Sequence, residues 1–453
     1  MNKREQWNSK LAFILSAAGS AIGLGTMWKL PYIMGESGGG AFIVIFIIFN
    51  FLIGIPLFIA ELTLGRTSKC GVVKTFNKLS KDSSIWNSLG WLGIITSFLI
   101  MGWYCVVAGW GLNYILLSIV DSFKYRNLQE ISYTFDLFRQ SGDLNILWQL
   151  IFLFMTGGIV YKGISGGIEY CNKIMTSSLF IMLILLAIYS STLSGFNQAI
   201  HYILYPDFSS VTKDTILQAL GLALFTLSLG YGIMITYGSY MSESEDIPKT
   251  SLIVAIANLF AAVLIALMIF PMIFTFGFES QEGEGLIFKT LPYVFEQLPG
   301  SLVISTSFFT LLMFAALTSS VSMMEVPVAT FIDLYNWSRG KAVIISIVIG
   351  FVLGLPISLA KSQILFVHWE NIFQYDFLRT MQILIDWLIA IGGLLISIFV
   401  GWKLPSNIQR QAFNINVNVK NNLLYYTWLI AIKWIVPISI LIVIFYRFNI
   451  FIY

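Results

Sequence analysis

Thr318, Ser319 and Ser320 are three consecutive hydroxyls inside an apolar run. Hydroxyl oxygens are hard donors, suited to a small hard cation better than nitrogen or sulfur would be. The same triplet is also accounted for by back-bonding of each hydroxyl to the carbonyl four residues earlier, which is common in membrane helices. Asn258 lies in a second apolar run. A buried amide needs several partners, either around a ligand or as a hydrogen bond between helices. Glu61 follows a third apolar stretch. Its carboxylate is placed either to receive backbone N–H groups or to sit at headgroup level. Around these side chains the backbone itself is unusual. Residues 16–32 read SAAGSAIGLGTMWKLPY, an apolar segment interrupted at Gly19, Gly23 and Gly25 and followed by Pro31. A spanning helix broken this way exposes carbonyls that hold cations and N–H groups that hold anions at membrane depth. The competing reading makes Gly19 and Gly23 a small-residue packing face.

The elements that position these groups are membrane helices. The 453 residues are 57% hydrophobic and only 11% charged, where a soluble chain carries about a quarter charged. Apolar runs of about 20 residues recur along the whole length, as polytopic helical proteins require. Eleven spans are expected, at about 11–33, 40–66, 87–119, 146–163, 172–192, 216–241, 250–277, 301–336, 341–360, 377–403 and 423–447. Between the seventh and eighth, Leu286 to Leu298 is amphipathic and is expected to form a helical hairpin or lid. The loop after the third span holds most of the extramembrane mass. The N-terminus imitates a secretory signal, but its apolar stretch continues past the small residues to Trp28 and Tyr32, so cleavage is not expected.

Lysines and arginines are about twice as frequent on the side of the N-terminus, among them Lys3, Lys81 and Lys420, as on the opposite side. The N-terminus is therefore expected in the cytoplasm and, with an odd number of spans, the C-terminus outside. The sixth span, FTLSLGYGIMITYGSY from Phe225 to Tyr240, again carries mid-span glycines, Gly230 and Gly232. Two broken helices five spans apart point to two inverted five-helix repeats, about 11–192 and 216–403, with an extra helix at about 423–447, all in one domain of 1–453. A net charge of +3 is too small to suggest nucleic acid, and three cysteines and two distant histidines suggest neither a disulfide framework nor a metal cluster. No nucleotide loop and no nucleophile–base pair is evident, so an enzyme is not expected.

The stretches GSAIGLGTMWKLPY (19–32), ESGGGAF (36–42), GIPLFIAELTLGR (54–66), FTLSLGYG (225–232), ITYGSY (235–240) and ALTSS (316–320) follow one another in order from the first span to the eighth. The chain resembles the neurotransmitter:sodium symporters, specifically their bacterial amino-acid branch with eleven spans. The resemblance implies co-transport of a substrate with two sodium ions by alternating access at the plasma membrane. It implies one sodium held by the carbonyls of Gly19, Ile22 and Ala315 with the hydroxyls of Thr318 and Ser319. The other would take the Ala21 carbonyl, Thr226, Asn258 and the substrate carboxylate. Thr26 stands where the family has an asparagine, so a water or another carbonyl is an alternative to it as ligand.

The resemblance further implies a substrate pocket of Ser20, Ala21, Leu24, Gly25, Ile100, Tyr104, Phe225, Ser228, Tyr231, Ser319 and Met323. Gly23 replaces the aspartate of monoamine carriers, so the substrate must bring its own carboxylate. A neutral L-amino acid, hydrophobic or aromatic, is expected. Tyr231 replaces a frequent phenylalanine and gives the far wall a hydrogen-bonding group. An inner gate of Arg4 and Asp333 is implied, supported by Trp7, Ser239 and Tyr240. An outer gate is implied at Lys29, which replaces an arginine; Asp376 is the expected partner and Asp386 the second choice. Leu222 and Ala262 occupy the chloride-ligand positions of chloride-dependent relatives, so no chloride is expected. Ser177 replaces a proline that in many relatives helps the fifth span unwind. Two alternatives remain at this stage: a proton-coupled carrier of the same architecture, with Glu61 as its titrating group, and an amino-acid sensor. A sensor needs a signalling domain, and only about six residues follow the last span.

Overall fold

The computed structural model describes residues 4–80, 84–278, 284–362, 364–366, 368–411, 413 and 422–452. Lys3, Lys81 and Lys420 of the orientation argument lie outside the described residues. Among the described residues, nine helices are long and apolar enough to cross a membrane. These are α3 (Gly40–Ser68), α4 (Ile85–Ile119), α5 (Gly142–Tyr161), α6 (Ile164–Ser190), α9 (Ile247–Thr275), α10 (Ser301–Tyr335), α11 (Arg339–Leu359), α12 (Phe377–Lys403) and α13 (Leu423–Tyr446). A tenth crossing is a broken pair, α1 (Lys10–Ala21) and α2 (Gly25–Glu36), bent by 47°. The remaining pair, α7 (Lys213–Thr226) and α8 (Ile233–Gly238), has 14 and 6 residues, each too short to cross alone. Taken as one interrupted span it completes the eleven expected from the sequence.

Both interruptions fall where the sequence places glycine. After α1, Ile22 leaves helical geometry at ψ 68 while its N–H still reaches the Ala18 carbonyl. Between α7 and α8, Ser228, Gly230 and Gly232 all have positive φ. Gly230 could not be replaced cheaply, because a Cβ there would lie 2.4 Å from the Ile389 carbonyl of α12. Gly392 lets α12 come this close, since its own Cβ would meet the Gly230 carbonyl. The break in the sixth span is therefore held open by α12, and α3 packs along α8 on the other side, where a Cβ on Gly238 would lie 2.8 Å from the Leu62 carbonyl.

Two expectations need correction. The fifth span begins at Ile164 rather than near residue 172, because a π-helical turn (Ile164–Glu169) carries the helix through the polar stretch ISGGIE. The Leu286 to Leu298 stretch is a single helix rather than a hairpin: a π-helical turn (Leu286–Thr290) runs straight into Leu291–Glu296, with its apolar side buried. Outside the membrane, Leu128–Gln140 is a helix started by a capping box of Asn127 and Glu130.

A candidate ion and substrate site at the two helix breaks

The break after α1 frees carbonyls that a continuous helix would use. The Leu24 N–H, which would have bonded the Ser20 carbonyl, donates instead to the Tyr104 hydroxyl at 3.0 Å. The Ser20 carbonyl is met by Ser228 Oγ and Ser319 Oγ, each at 3.0 Å. Thr318 Oγ1 stands 2.8 Å from the Gly19 carbonyl, 3.0 Å from that of Phe314 and 3.1 Å from that of Ala315. One hydroxyl proton satisfies one of these carbonyls. The Phe314 and Ala315 carbonyls also take backbone N–H groups within the regular α10, so Thr318 back-bonds there while its hydroxyl oxygen also reaches the Gly19 carbonyl at the break.

The triplet thus divides between its two readings. Thr318 and Ser319 face the broken helix. Ser320, turned about 100° further round α10, back-bonds to the Leu317 carbonyl and meets Thr156. Gly19 and Gly23 likewise serve both readings. A Cβ on Gly19 would lie 2.3 Å from Thr176 Oγ1, and one on Gly23 would lie 2.4 Å from Ser319 Oγ and 2.7 Å from the Tyr104 hydroxyl. They pack closely and also bring the carbonyls to α10.

A second oxygen group lies on the other side of the break. Thr26 Oγ1 is 3.3 Å from the Ala21 carbonyl and 3.4 Å from Asn258 Oδ1, and Asn258 Nδ2 is 3.3 Å from Thr226 Oγ1. These spacings are long for hydrogen bonds. The first two are oxygen–oxygen spacings, close to the roughly 3.4 Å octahedral edge of oxygens about 2.4 Å from a hard cation; the third runs from an amide nitrogen. All four residues are buried, so Thr26 belongs to this group despite being shorter than asparagine.

Between the two oxygen groups lies a cavity lined by Ser20, Ala21, Gly23, Gly25, Tyr104, Phe225, Thr226, Ser228, Tyr231, Ser319 and Met323. Nine of the residues expected for the pocket are among them. Leu24 and Ile100 are not. Leu24 contributes its N–H to Tyr104 while its side chain is buried in the core, and Ile100, one turn before Tyr104 on α4, is covered completely. Gly23 and Thr226 take their places. Phe225 covers Gly25 so closely that a Cβ there would lie 2.5 Å from its ring.

Ion pairs form at both positions expected for gates. At the position expected for the inner gate, Arg4 Nη1 meets Asp333 Oδ2 at 2.7 Å, and its Nε and Nη2 reach Ser239 Oγ at 3.1 and 2.7 Å. Its guanidinium lies over the Tyr240 ring at 4.7 Å. Trp7 donates its indole N–H to the Tyr237 carbonyl at 3.1 Å. Burial alone would lower the Arg4 pKa, but Tyr240 and Asp333 together raise it above its ordinary value. The Arg4 guanidinium is therefore charged at any physiological pH. At the position expected for the outer gate, Lys29 Nζ meets Asp386 Oδ1 at 3.2 Å and lies 4.5 Å from the centre of the Phe225 ring. Asp376 is not its partner. Asp376 is the N-cap of α12, whereas Asp386 lies about 15 Å further along the axis, at the depth of Lys29. Asp376 pairs with Arg139 at 3.0 Å, and Arg139 also holds Glu284.

Sequence reading missed several partners. Glu325, fully buried on α10, accepts from the Tyr240 hydroxyl at 2.6 Å and pairs with Arg339. A carboxylate within an apolar span and an arginine just past that span's end were the available signal. Glu5 accepts the Ile164 N–H, and Glu169 accepts the Asn8 N–H at 3.0 Å, strapping the N-terminal segment to the start of α6. Ser177 lies within regular helix. Ser322, whose hydroxyl reaches Ser20 Oγ at 2.7 Å, carried no sequence signal. Glu61 takes the first of its two readings: fully buried, it accepts the Gly230 N–H at 2.7 Å in the break of the sixth span.

The model of the sodium:neurotransmitter symporter family matches residues 4–136 and 120–451. The chain belongs to this family. It is 36% identical over 442 residues to an uncharacterized sodium-dependent transporter of Bacillus subtilis, YhdH, covering 97% of each chain. It is 33% identical to an uncharacterized sodium-dependent transporter of Haemophilus influenzae, again over 97% of each. Its fold is similar to that of MhsT solved in complex with L-phenylalanine, with a TM-score of 0.89, 36% identity, and coverage of 98% of this chain and 99% of that one. As a family member the protein is a multi-pass membrane transporter and not an enzyme.

Proposed function

We propose that this protein is a sodium-coupled symporter that imports a neutral, hydrophobic or aromatic L-amino acid by alternating access. The observation that carries the reading is the meeting of the Thr318 and Ser319 hydroxyls with the Gly19 and Ser20 carbonyls at the break after α1. In this reading Gly19, Ile22, Ala315, Thr318 and Ser319 hold one sodium. Ala21, Thr26, Thr226 and Asn258 hold the other together with the substrate carboxylate. The shared carboxylate couples the two ligands, because each then supplies part of the other's binding free energy. Tyr104 orients the substrate carboxylate, and Phe225 closes over it beneath Lys29 and Asp386.

The substrate class is supported by the L-phenylalanine bound to MhsT. It is supported also by the crowding at Gly23, which leaves no room for an acid that would replace a substrate carboxylate. Chloride is not required in this reading. Leu222 and Ala262 are packed in an apolar cluster with Phe46 and Phe270. The N-terminus is cytoplasmic, the C-terminus extracellular, and the membrane is the plasma membrane. Arg4 with Asp333, and Glu325 with Arg339, seal the inner side. Two sodium ions crossing with a zwitterion at about 100 mV and a tenfold gradient supply roughly 7 kcal/mol, enough for about 10⁵-fold accumulation.

The test is binding of labelled tryptophan, phenylalanine, leucine and alanine to purified protein in sodium and in potassium, with Thr318→Ala beside the parent. Binding that needs sodium and weakens at least tenfold in the variant is expected. Equal binding in potassium and no effect of the substitution refutes the proposal.

A further inference from the structure

Residues 387–453 contain Lys403, Arg410, Lys420, Lys433 and Arg447 but no aspartate or glutamate. Lys403 and Lys433 lie where α12 meets α13. Each helix carries a π-helical turn there, Phe399–Lys403 in one and Ala431–Ile435 in the other. Gly401 lets the two turns touch, since a Cβ on it would lie 3.0 Å from Lys433 Cγ. The Trp402 indole N–H donates to the Lys433 carbonyl at 3.4 Å, and Lys433 Nζ lies 5.5 Å from the centre of the Trp402 ring. Trp434 meets Trp402 edge to face, their ring centres 4.8 Å apart. Both tryptophans are more than half exposed, and Lys403 is exposed beside them. Among the described residues neither lysine forms an ion pair.

The depth of this patch follows from its neighbours. A Cβ on Gly230, in the break of the sixth span, would lie 3.1 Å from the Gly393 nitrogen, and Gly393 faces Ile440 of α13. Breaks of this kind sit near the bilayer midplane. Gly401 comes eight residues after Gly393, about 12 Å along α12. The chain then runs on to Gln411, whose carbonyl accepts from Arg66, a residue that adjoins the contact of Arg4 with Ser239. Half of the hydrocarbon core is about 15 Å, so the patch lies about 3 Å inside its edge on the side of Arg4. Tryptophans at this depth belong to the interfacial belt. A lysine there lifts its charge toward the lipid phosphates.

We propose that the seam between α12 and α13 is a binding site for an anionic phospholipid. The phosphate takes the ammonium groups of Lys433 and Lys403 as its counter-charges. The glycerol and upper acyl chains lie on Trp402 and Trp434. A zwitterionic lipid offers the same phosphate but brings its own cation, which two unpaired lysines repel, so the seam selects a net negative headgroup. A free phosphate lacks the chains that cover the tryptophans. The seam is separate from the central cavity, and its lipid does not depend on what that cavity carries.

The test is native mass spectrometry of the full chain, titrated with dioleoyl phosphatidylglycerol and, separately, with dioleoyl phosphatidylcholine. The first phosphatidylglycerol should bind about 10- to 25-fold more tightly than the first phosphatidylcholine, and Lys433→Gln and Lys403→Gln should each lower that preference about fivefold. Lys341→Gln removes another lysine on the same side, one that lies 4.5 Å from the Trp337 ring; it should leave the preference within twofold. Phosphatidylglycerol with brominated chains should quench tryptophan fluorescence more than its phosphatidylcholine counterpart, and Trp402→Phe with Trp434→Phe should remove that difference. Equal affinity for the two lipids overturns the proposal, as does a preference that survives both lysine substitutions or falls equally in Lys341→Gln. Displacement of the phosphatidylglycerol by millimolar inorganic phosphate also overturns it, because the seam would then be a site for free anions.

Discussion

Glu61→Gln separates the symporter reading from a proton-coupled one. Glu61 is fully buried, and its Oε1 accepts the Gly230 N–H at 2.7 Å. Its Oε2 is buried with no hydrogen-bond partner among the described residues. Through Oε1 the carboxylate fixes the break that presents Ser228 and Thr226 to the site. Glutamine keeps the shape and one acceptor but loses the charge. A hydrogen bond to a charged group is worth about 1.5–3 kcal/mol and a neutral one about 0.5–1.5. The difference of about 1–2 kcal/mol should appear as substrate affinity weakened about 5- to 30-fold, with the sodium requirement intact. The assay is scintillation-proximity binding across a sodium series at pH 6 and pH 8. If Glu61 were instead a proton carrier, glutamine would mimic its protonated form. Unchanged affinity together with loss of a pH dependence present in the parent would refute the structural role assigned here.

Three further outcomes are expected. Gly19→Ala drives a Cβ against Thr176 Oγ1, and Thr318 Cβ is also within 3.1 Å; sodium titration should show at least a tenfold loss of apparent affinity. Lys29→Ala and Asp386→Ala each remove a partly buried pair, and the former also removes the contact with Phe225; at about 1 kcal/mol, substrate dissociation should quicken about fivefold, while Asp376→Ala leaves it within twofold. Burial would raise the Asp376 carboxyl, but the Arg379 N–H and Arg139 hold it below its ordinary value of 3.8. Its stabilisation is therefore present above that value and lost as pH falls below it. Thermal inactivation should show no pH dependence from this group between pH 5 and 8, and Arg139→Ala should move the onset of acid lability upward.

The sequence exposed the breaks because glycine at Gly230 and Gly232 inside an apolar run has few other uses, and both positions adopt positive φ. It exposed Thr318 and Ser319 as polar groups at membrane depth, but not which of the three hydroxyls faces inward, which depends on the rotation of α10. Arg4 and Asp333 were legible from motif context. The partner of Lys29 was not, since two aspartates lie near the start of α12 and only axial depth distinguishes them. The π-helical turns at Gly25–Lys29 and Ile164–Glu169 were also out of reach, because one added residue barely disturbs an apolar run. The hydroxyl chain from Ser228 through Ser20 to Ser322 joins three spans, and nothing in any one of them announces it.

The central claim is that a sodium gradient drives amino-acid uptake. Its most direct test is uptake of labelled phenylalanine into proteoliposomes with an imposed inward sodium gradient. The account predicts transient accumulation above equilibrium that is abolished by a sodium ionophore and enhanced by an inside-negative potential. Accumulation that follows a proton gradient in sodium-free buffer would contradict it.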